Sequence, residues 1–296
     1  MERMLNTPEG LQLWSQTFGD PAHPALLLVM GAMAQGIFWP ESFCQQLAQA
    51  GLYVVRYDHR DIGRSSCVNF LRHPYNLQAL TRDALAVLDG LGVTQATVVG
   101  LSMGGFIAQL MAAHHPQRVR RLALLSTSAD HRPYVAATLG LPTGLLALPP
   151  PEPVFLDYLK ALRRHPPRTP EALLDSLHRG WEVTYAGPRP YPRDAMEPLL
   201  HQAMRRSEHP RAALHHALAV SGSGNRLKLV GSIRTPTLVI HGRHDPCLPL
   251  AHGEYLAHHI PGAQLQVLEM GHSFMGSWDA EVLQALLTFA APVPSK

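Results

Sequence analysis

Cysteine is scarce in this chain: three in 296 residues, at positions 44, 67 and 247. An odd, widely spaced set makes no disulfide framework and fits a reducing compartment, so a cytoplasmic location is expected. Charge is also sparse, at 16% of residues, and 25 basic against 22 acidic side chains leave a formal net charge of only +3. With no run of lysine or arginine to form a patch, neither nucleic acid nor a membrane surface is an expected partner. No apolar run is long enough to span a bilayer, and Met1 to Asn6 lack the apolar core of a secretory signal. Histidine is plentiful, at 18, yet none stands in an H-x-x-x-H spacing beside a glutamate, so no metal is expected. What remains is a chain with 46% hydrophobic residues and no internal repeat, suited to a well-buried globular core.

The most informative stretch is Gly100-Leu101-Ser102-Met103-Gly104. It follows the β-branched apolar run Ala96 to Val99 and opens an expected helix, Phe106 to His115. Strand, sharp turn with a central serine, then helix is the setting of a nucleophile elbow. Such a turn holds the serine at a strained backbone angle and brings the flanking residues so close that only glycine fits. A chance strand–turn–helix is the competing interpretation of these five residues alone.

A serine hydroxyl needs a base, and the base needs an orienting acid. After an elbow the expected chain order is Ser, then Asp or Glu, then His. Thr237 to His241 predicts a buried strand that leads into Gly242-Arg243-His244-Asp245-Pro246. Gln264 to Glu269 alternates as a last strand and ends in Met270-Gly271-His272-Ser273. The catalytic residues expected are therefore Ser102, Asp245 and His272, each at the C-terminal edge of a strand, where open α/β sheets carry their sites. Asp130, after the strand Leu122 to Leu125, is the rival acid. His241 is expected as a strand end and His244 as loop surface. An oxyanion hole completes the site: one donor is the Met103 N–H at the helix start, the other the Ala32 N–H in Met30-Gly31-Ala32-Met33. This second segment, after the buried run Ala25 to Met30, is taken alone also a plain glycine turn.

Elsewhere, Leu11 to Thr17 and Tyr53 to Tyr57 predict strands, and Pro40 to Ala50 and Asn76 to Leu91 predict helices. Alternating strands and helices imply a mostly parallel sheet with right-handed crossovers. From Asp130 the alternation stops. The stretch is rich in Pro, Arg, His and Leu, with helical runs at Val154 to Arg164 and Pro170 to Tyr185 and no strand. It is expected to form a helical cap over residues 130–223, returning through a flexible Ser221-Gly222-Ser223-Gly224 hinge to a core made of 1–129 and 224–296. Asp58, Arg60 and Arg64 are expected to brace loops beneath the oxyanion turn; contact of this loop with substrate is the alternative. Gly31, Phe38, Trp181 and Phe274 are candidate substrate contacts, though core packing is the ordinary use of any one aromatic.

These residues resemble the α/β-hydrolase superfamily over nearly the whole chain. More narrowly the chain is similar to the aclacinomycin methylesterases and related esterase/haloperoxidase-like hydrolases. The resemblance runs through Phe18-Gly19-Asp20-Pro21, Pro24 to Gly31, Trp39-Pro40, Arg56 to Asp61, Gly63-Arg64-Ser65, Val98 to Gly104, Pro236 to Ile240, His244-Asp245-Pro246 and Met270-Gly271-His272. Met30-Gly31 stands where many such enzymes have His-Gly, and Asp130 to Asn225 departs from the methylesterases. The resemblance implies an eight-stranded sheet flanked by helices, the same triad and oxyanion donors, and cofactor-free cleavage of methyl esters or other small hydrophobic esters. Perhydrolase or carbon–carbon bond hydrolase chemistry, and a non-catalytic ligand receptor, are the alternatives.

Overall fold

The structure, a computed structural model, describes residues 1–290. The chain runs β1 (Glu2–Asn6), β2 (Gln12–Phe18), β3 (Ala25–Val29), α1 (Glu41–Gln49), β4 (Tyr53–Tyr57), α2 (Leu77–Gly90), β5 (Ala96–Leu101), α3 (Met103–His114) and β6 (Val119–Leu125). Then come five helices, α4 (Arg132–Thr138), α5 (Pro153–Arg164), α6 (Pro170–Tyr185), α7 (Arg193–Arg206) and α8 (His215–Ser221). The chain ends with β7 (Thr237–Gly242), α9 (Ala251–His259), β8 (Gln264–Leu268) and α10 (Asp279–Ala290).

The eight strands form one sheet in the order β1-β2-β4-β3-β5-β6-β7-β8. β1 and β2 pair antiparallel with each other, and β2 with β4; every other pairing is parallel. Side chains alternate across a strand, so β3 serves both faces. Leu27 and Val29 join the core beneath α2, α3 and α9, while Leu26 and Leu28 join the one beneath α1 and α10. All four are fully buried, which is worth about 1.5–3 kcal/mol each. This explains why a continuous apolar run, not an alternating one, makes a central parallel strand.

Two local differences from sequence expectation are physical. β1 went unpredicted because it is an edge strand with four of its five residues exposed, so it lacks an apolar signal. α3 begins at Met103, three residues earlier than the apolar run, because Met103-Gly104-Gly105 sit against the sheet as the first turn. The return at Ser221 to Gly224 is not loose. Ser223 Oγ accepts the Leu77 N–H at 2.9 Å at the start of α2. Close by, the Arg226 N–H donates to the Ala129 carbonyl at 2.7 Å, so the two ends of the helical segment meet.

Candidate active site

Ser102 occupies the N-cap position of α3 with φ 53° and ψ −118°. A cap serine normally accepts a helix N–H with its hydroxyl. Here the positive φ swings the side chain away and no such bond forms, leaving Oγ uncommitted. Tertiary contacts hold the strained turn. The Ser102 N–H donates to the Leu125 carbonyl at 3.0 Å, and the Ser102 carbonyl accepts from the Gly105 N–H and the Thr127 hydroxyl. A Cβ on Gly100 would overlap the Gly104 carbonyl, and one on Gly104 would overlap the carbonyl of Val29. Those two glycines allow α3 to cross β3 and β5 at backbone contact.

His272 and Asp245 come together across the ends of β7 and β8. His272 Nδ1 lies 2.8 Å from Asp245 Oδ2. Asp245 is buried, and its other oxygen, Oδ1, accepts the N–H groups of Cys247 and Leu248 at 2.8 and 2.9 Å. Burial pushes this carboxyl up. The neighbouring His272 and His241 rings and these hydrogen bonds outweigh that, and it stays below its usual range. His241 Nε2 is 3.4 Å from Asp245 Oδ2 but bonds the Leu248 carbonyl at 2.7 Å, so His241 supports the loop from beneath. Asp130 is tied to Arg132 by a bidentate pair, with contacts at 2.6–3.0 Å. His244 pairs with Glu269 on the surface.

The loop that carries His272 is held by α6. The last carbonyls of a helix lack intrahelical donors. In α6 the Thr184 carbonyl accepts the N–H groups of His272 and Ser273, at 2.8 and 3.2 Å, and the Tyr185 carbonyl accepts that of Gly271. No sequence pattern foretold this, since backbone-to-backbone bonds leave no residue-type signature.

On the opposite side, Gly31 is buried against Ser102: a Cβ there would come 3.3 Å from Ser102 Cβ. Ala32 and Met33 form a turn in which Met33 has φ 61°. Asp58 accepts the Gly36 and Arg64 N–H groups, and Arg60 pairs with buried Asp83 at 2.6 Å, so both brace loops here. The Arg64 side chain instead lies on the surface with Glu2. Phe38 meets Trp181 of α6 with ring centroids 4.9 Å apart. Phe274 must be removed from the candidate substrate contacts. It is fully buried between Trp39 and Phe43, with no surface that a ligand could touch.

One trio among the described residues, Asp245, Cys247 and His272, brings ligand atoms within 4.8 Å of one another. Burial pushes the Cys247 thiol well above its usual range, so the metal-free thiol stays protonated at neutral pH. No described helix is long and apolar enough to cross a membrane.

The profile of the alpha/beta hydrolase fold family matches residues 24–277. The chain belongs to this family. Among α/β-hydrolases it is similar to rhodomycin D methylesterase of Streptomyces peucetius, 36% identical over 276 residues that make up 92% of each chain. It is also similar to 3-oxoadipate enol-lactonase 2 of Acinetobacter baylyi, 30% identical over 268 residues, 90% of this chain and 88% of that one. A solved structure, that of a hydrolase from Pseudomonas aeruginosa, superposes with a TM-score of 0.74 at 26% identity over 98% of each chain.

Proposed function

We propose that this α/β-hydrolase cleaves carboxylic esters, methyl esters and other small hydrophobic esters among them, with Ser102, His272 and Asp245 as its triad. The observation that carries this is Ser102 itself: a serine at φ 53° on a helix N-terminus, its hydroxyl not used as a cap, in a sheet that also joins His272 to Asp245. Similarity to a methylesterase over nearly the full chain supports the substrate class.

The reaction runs in two steps. Ser102 Oγ attacks the ester carbonyl carbon while its proton passes to His272 Nε2. Asp245, ionised, accepts from Nδ1–H and so keeps Nε2 unprotonated beforehand. The carbonyl oxygen becomes an oxyanion held by the N–H groups of Met103 and Ala32. The C–O bond to the alcohol breaks as His272 returns its proton to the leaving alkoxide. Water, deprotonated by His272, then attacks the acyl-enzyme, and the acid leaves as Ser102 recovers its proton. No cofactor enters. Residues 130–223 act as a cap, with Gly31, Phe38 and Trp181 as contacts for the apolar parts of the ester. A cytoplasmic location fits the three free cysteines, of which Cys67 is exposed.

Release of p-nitrophenol from C2 to C12 p-nitrophenyl esters, with acid release from a methyl ester in parallel, tests this. Wild-type protein is expected to turn over both, and Ser102→Ala to lose at least about a thousandfold. Activity that survives in Ser102→Ala overturns the proposal.

A further inference from the structure

The Gly31–Ala32 peptide, which carries the proposed oxyanion N–H, lies between two peptides that are each fixed by a buried histidine. On one side, His59 Nε2 is 2.9 Å from the Met30 carbonyl, which belongs to the Met30–Gly31 peptide. A carbonyl only accepts, so the proton sits on Nε2 and His59 Nδ1 is bare; that buried nitrogen has no partner. On the other side, the Met33 N–H, part of the Ala32–Met33 peptide, donates to His216 Nδ1 at 3.1 Å. His216 Nε2 in turn donates to the Arg60 carbonyl at 2.9 Å. The two rings meet edge to face with centroids 5.6 Å apart.

We propose that His59 and His216 are positioning residues that clamp the oxyanion turn from both sides, with His216 reaching it from helix α8 across the chain. This rests on the ester hydrolase proposal above. The clamp needs His216 neutral, because protonated Nδ1 would face the Met33 N–H donor to donor. Burial depresses His216 to about 4, with the Arg60 carbonyl bond and Asp61 opposing and His215 and Arg60 assisting. The turn needs holding: Met33 is a non-glycine residue in the left-handed region, a conformation that persists only where surroundings impose it. Releasing the clamp frees the central peptide to rotate, which aims its N–H away from the developing charge. Such a loss acts on the transition state more than on ground-state binding.

Two isosteres separate the bonds of His216. His216→Asn keeps an acceptor where Nδ1 stands and loses the donor to Arg60. His216→Gln keeps a donor where Nε2 stands and loses the acceptor for Met33. Both remove one buried bond, so a purely structural role predicts equal effects on melting temperature and on turnover. The clamp predicts a kcat lower by about 10- to 100-fold in His216→Gln with KM within about threefold, and near wild-type kcat in His216→Asn. Equal kcat values in the two variants overturn it. Should both fail to fold, His59→Gln (donor kept) against His59→Leu (donor lost) reads the other half: the clamp predicts a kcat loss in the leucine variant alone, and equal values overturn it. Ser102→Ala, assayed alongside, keeps the two failures apart: if it is dead while His216→Gln is fully active, only the clamp is wrong.

Discussion

Asp245 divides its two oxygens between different tasks. Oδ1 holds its own loop through two N–H groups, and Oδ2 faces His272. Asparagine can fill the first role, because its carbonyl accepts as Oδ1 does. It then presents NH2 to Nδ1, which forces the proton onto Nε2, where the base must be bare. Asp245→Asn is therefore expected to fold like wild type, with an unchanged circular dichroism spectrum. Its kcat on p-nitrophenyl esters is expected to fall by about 10³- to 10⁴-fold. A loss of less than tenfold would remove Asp245 from the proposed triad. Most of the proposed site was readable at this scale. Gly100, Ser102, Gly104, Asp245 and His272 each carry a side-chain requirement that shows in the residue type. The supports were not readable. His59 and His216 are ordinary histidines in sequence, and their meaning lies in partners 29 and 183 positions away.

Among the elements, α7 shows how the helical segment is fastened to the sheet. Arg206, in its last turn, is buried with Nη2 2.8 Å from Asp58 Oδ2 and Nε 3.0 Å from Gln35 Oε1, and its guanidinium stacks 4.1 Å over Trp14. Burial pushes the Asp58 carboxyl up, and Arg206 is its main counterweight. Removing one partner of a buried pair leaves the other charge uncompensated, at about 3–5 kcal/mol. Arg206→Ala is expected to lower the melting temperature at pH 8 by roughly 6–20 °C. Asp58 can take up a proton in the variant, so the gap to wild type narrows as pH falls; a gap that widens would contradict this. The strands β3 to β7 and helices α1 and α2 were legible from apolar runs and periodicity, because each covers or crosses a single sheet. The segment 130–223 was legible only as helical. Its docking depends on isolated polar side chains such as Arg206 and on helix-end carbonyls, which periodicity does not encode.

For the molecule as a whole, buried neutral histidine is an acid liability. Burial depresses His59 to about 3 and His131, His216 and His252 to about 4 each. In the unfolded chain each titrates near 6.5. A group depressed on folding stabilises fully above its unfolded value and loses that contribution as pH falls toward the folded one. Each histidine thus removes about 1.4 kcal/mol per pH unit between about 6 and 4. Four together remove up to roughly 5 kcal/mol per unit, against a total stability on the order of 5–15 kcal/mol. The melting temperature is expected to fall progressively as pH drops below about 6. Calorimetry from pH 8 to 4 checks this, and a flat profile down to pH 4.5 would refute it. The α6 carbonyls that hold the His272 loop bear on another use of the molecule, the exchange of variable segments between relatives to change substrate range. Recombination treats such a segment as cargo and the sheet as chassis. Here a graft that replaces 130–223 wholesale would have to rebuild the backbone seat beneath the proposed general base and, with α8, would lose the ring against Met33. Productive crossovers are those that swap α4 and α5 while leaving Thr184, Tyr185 and His216 in their native frame.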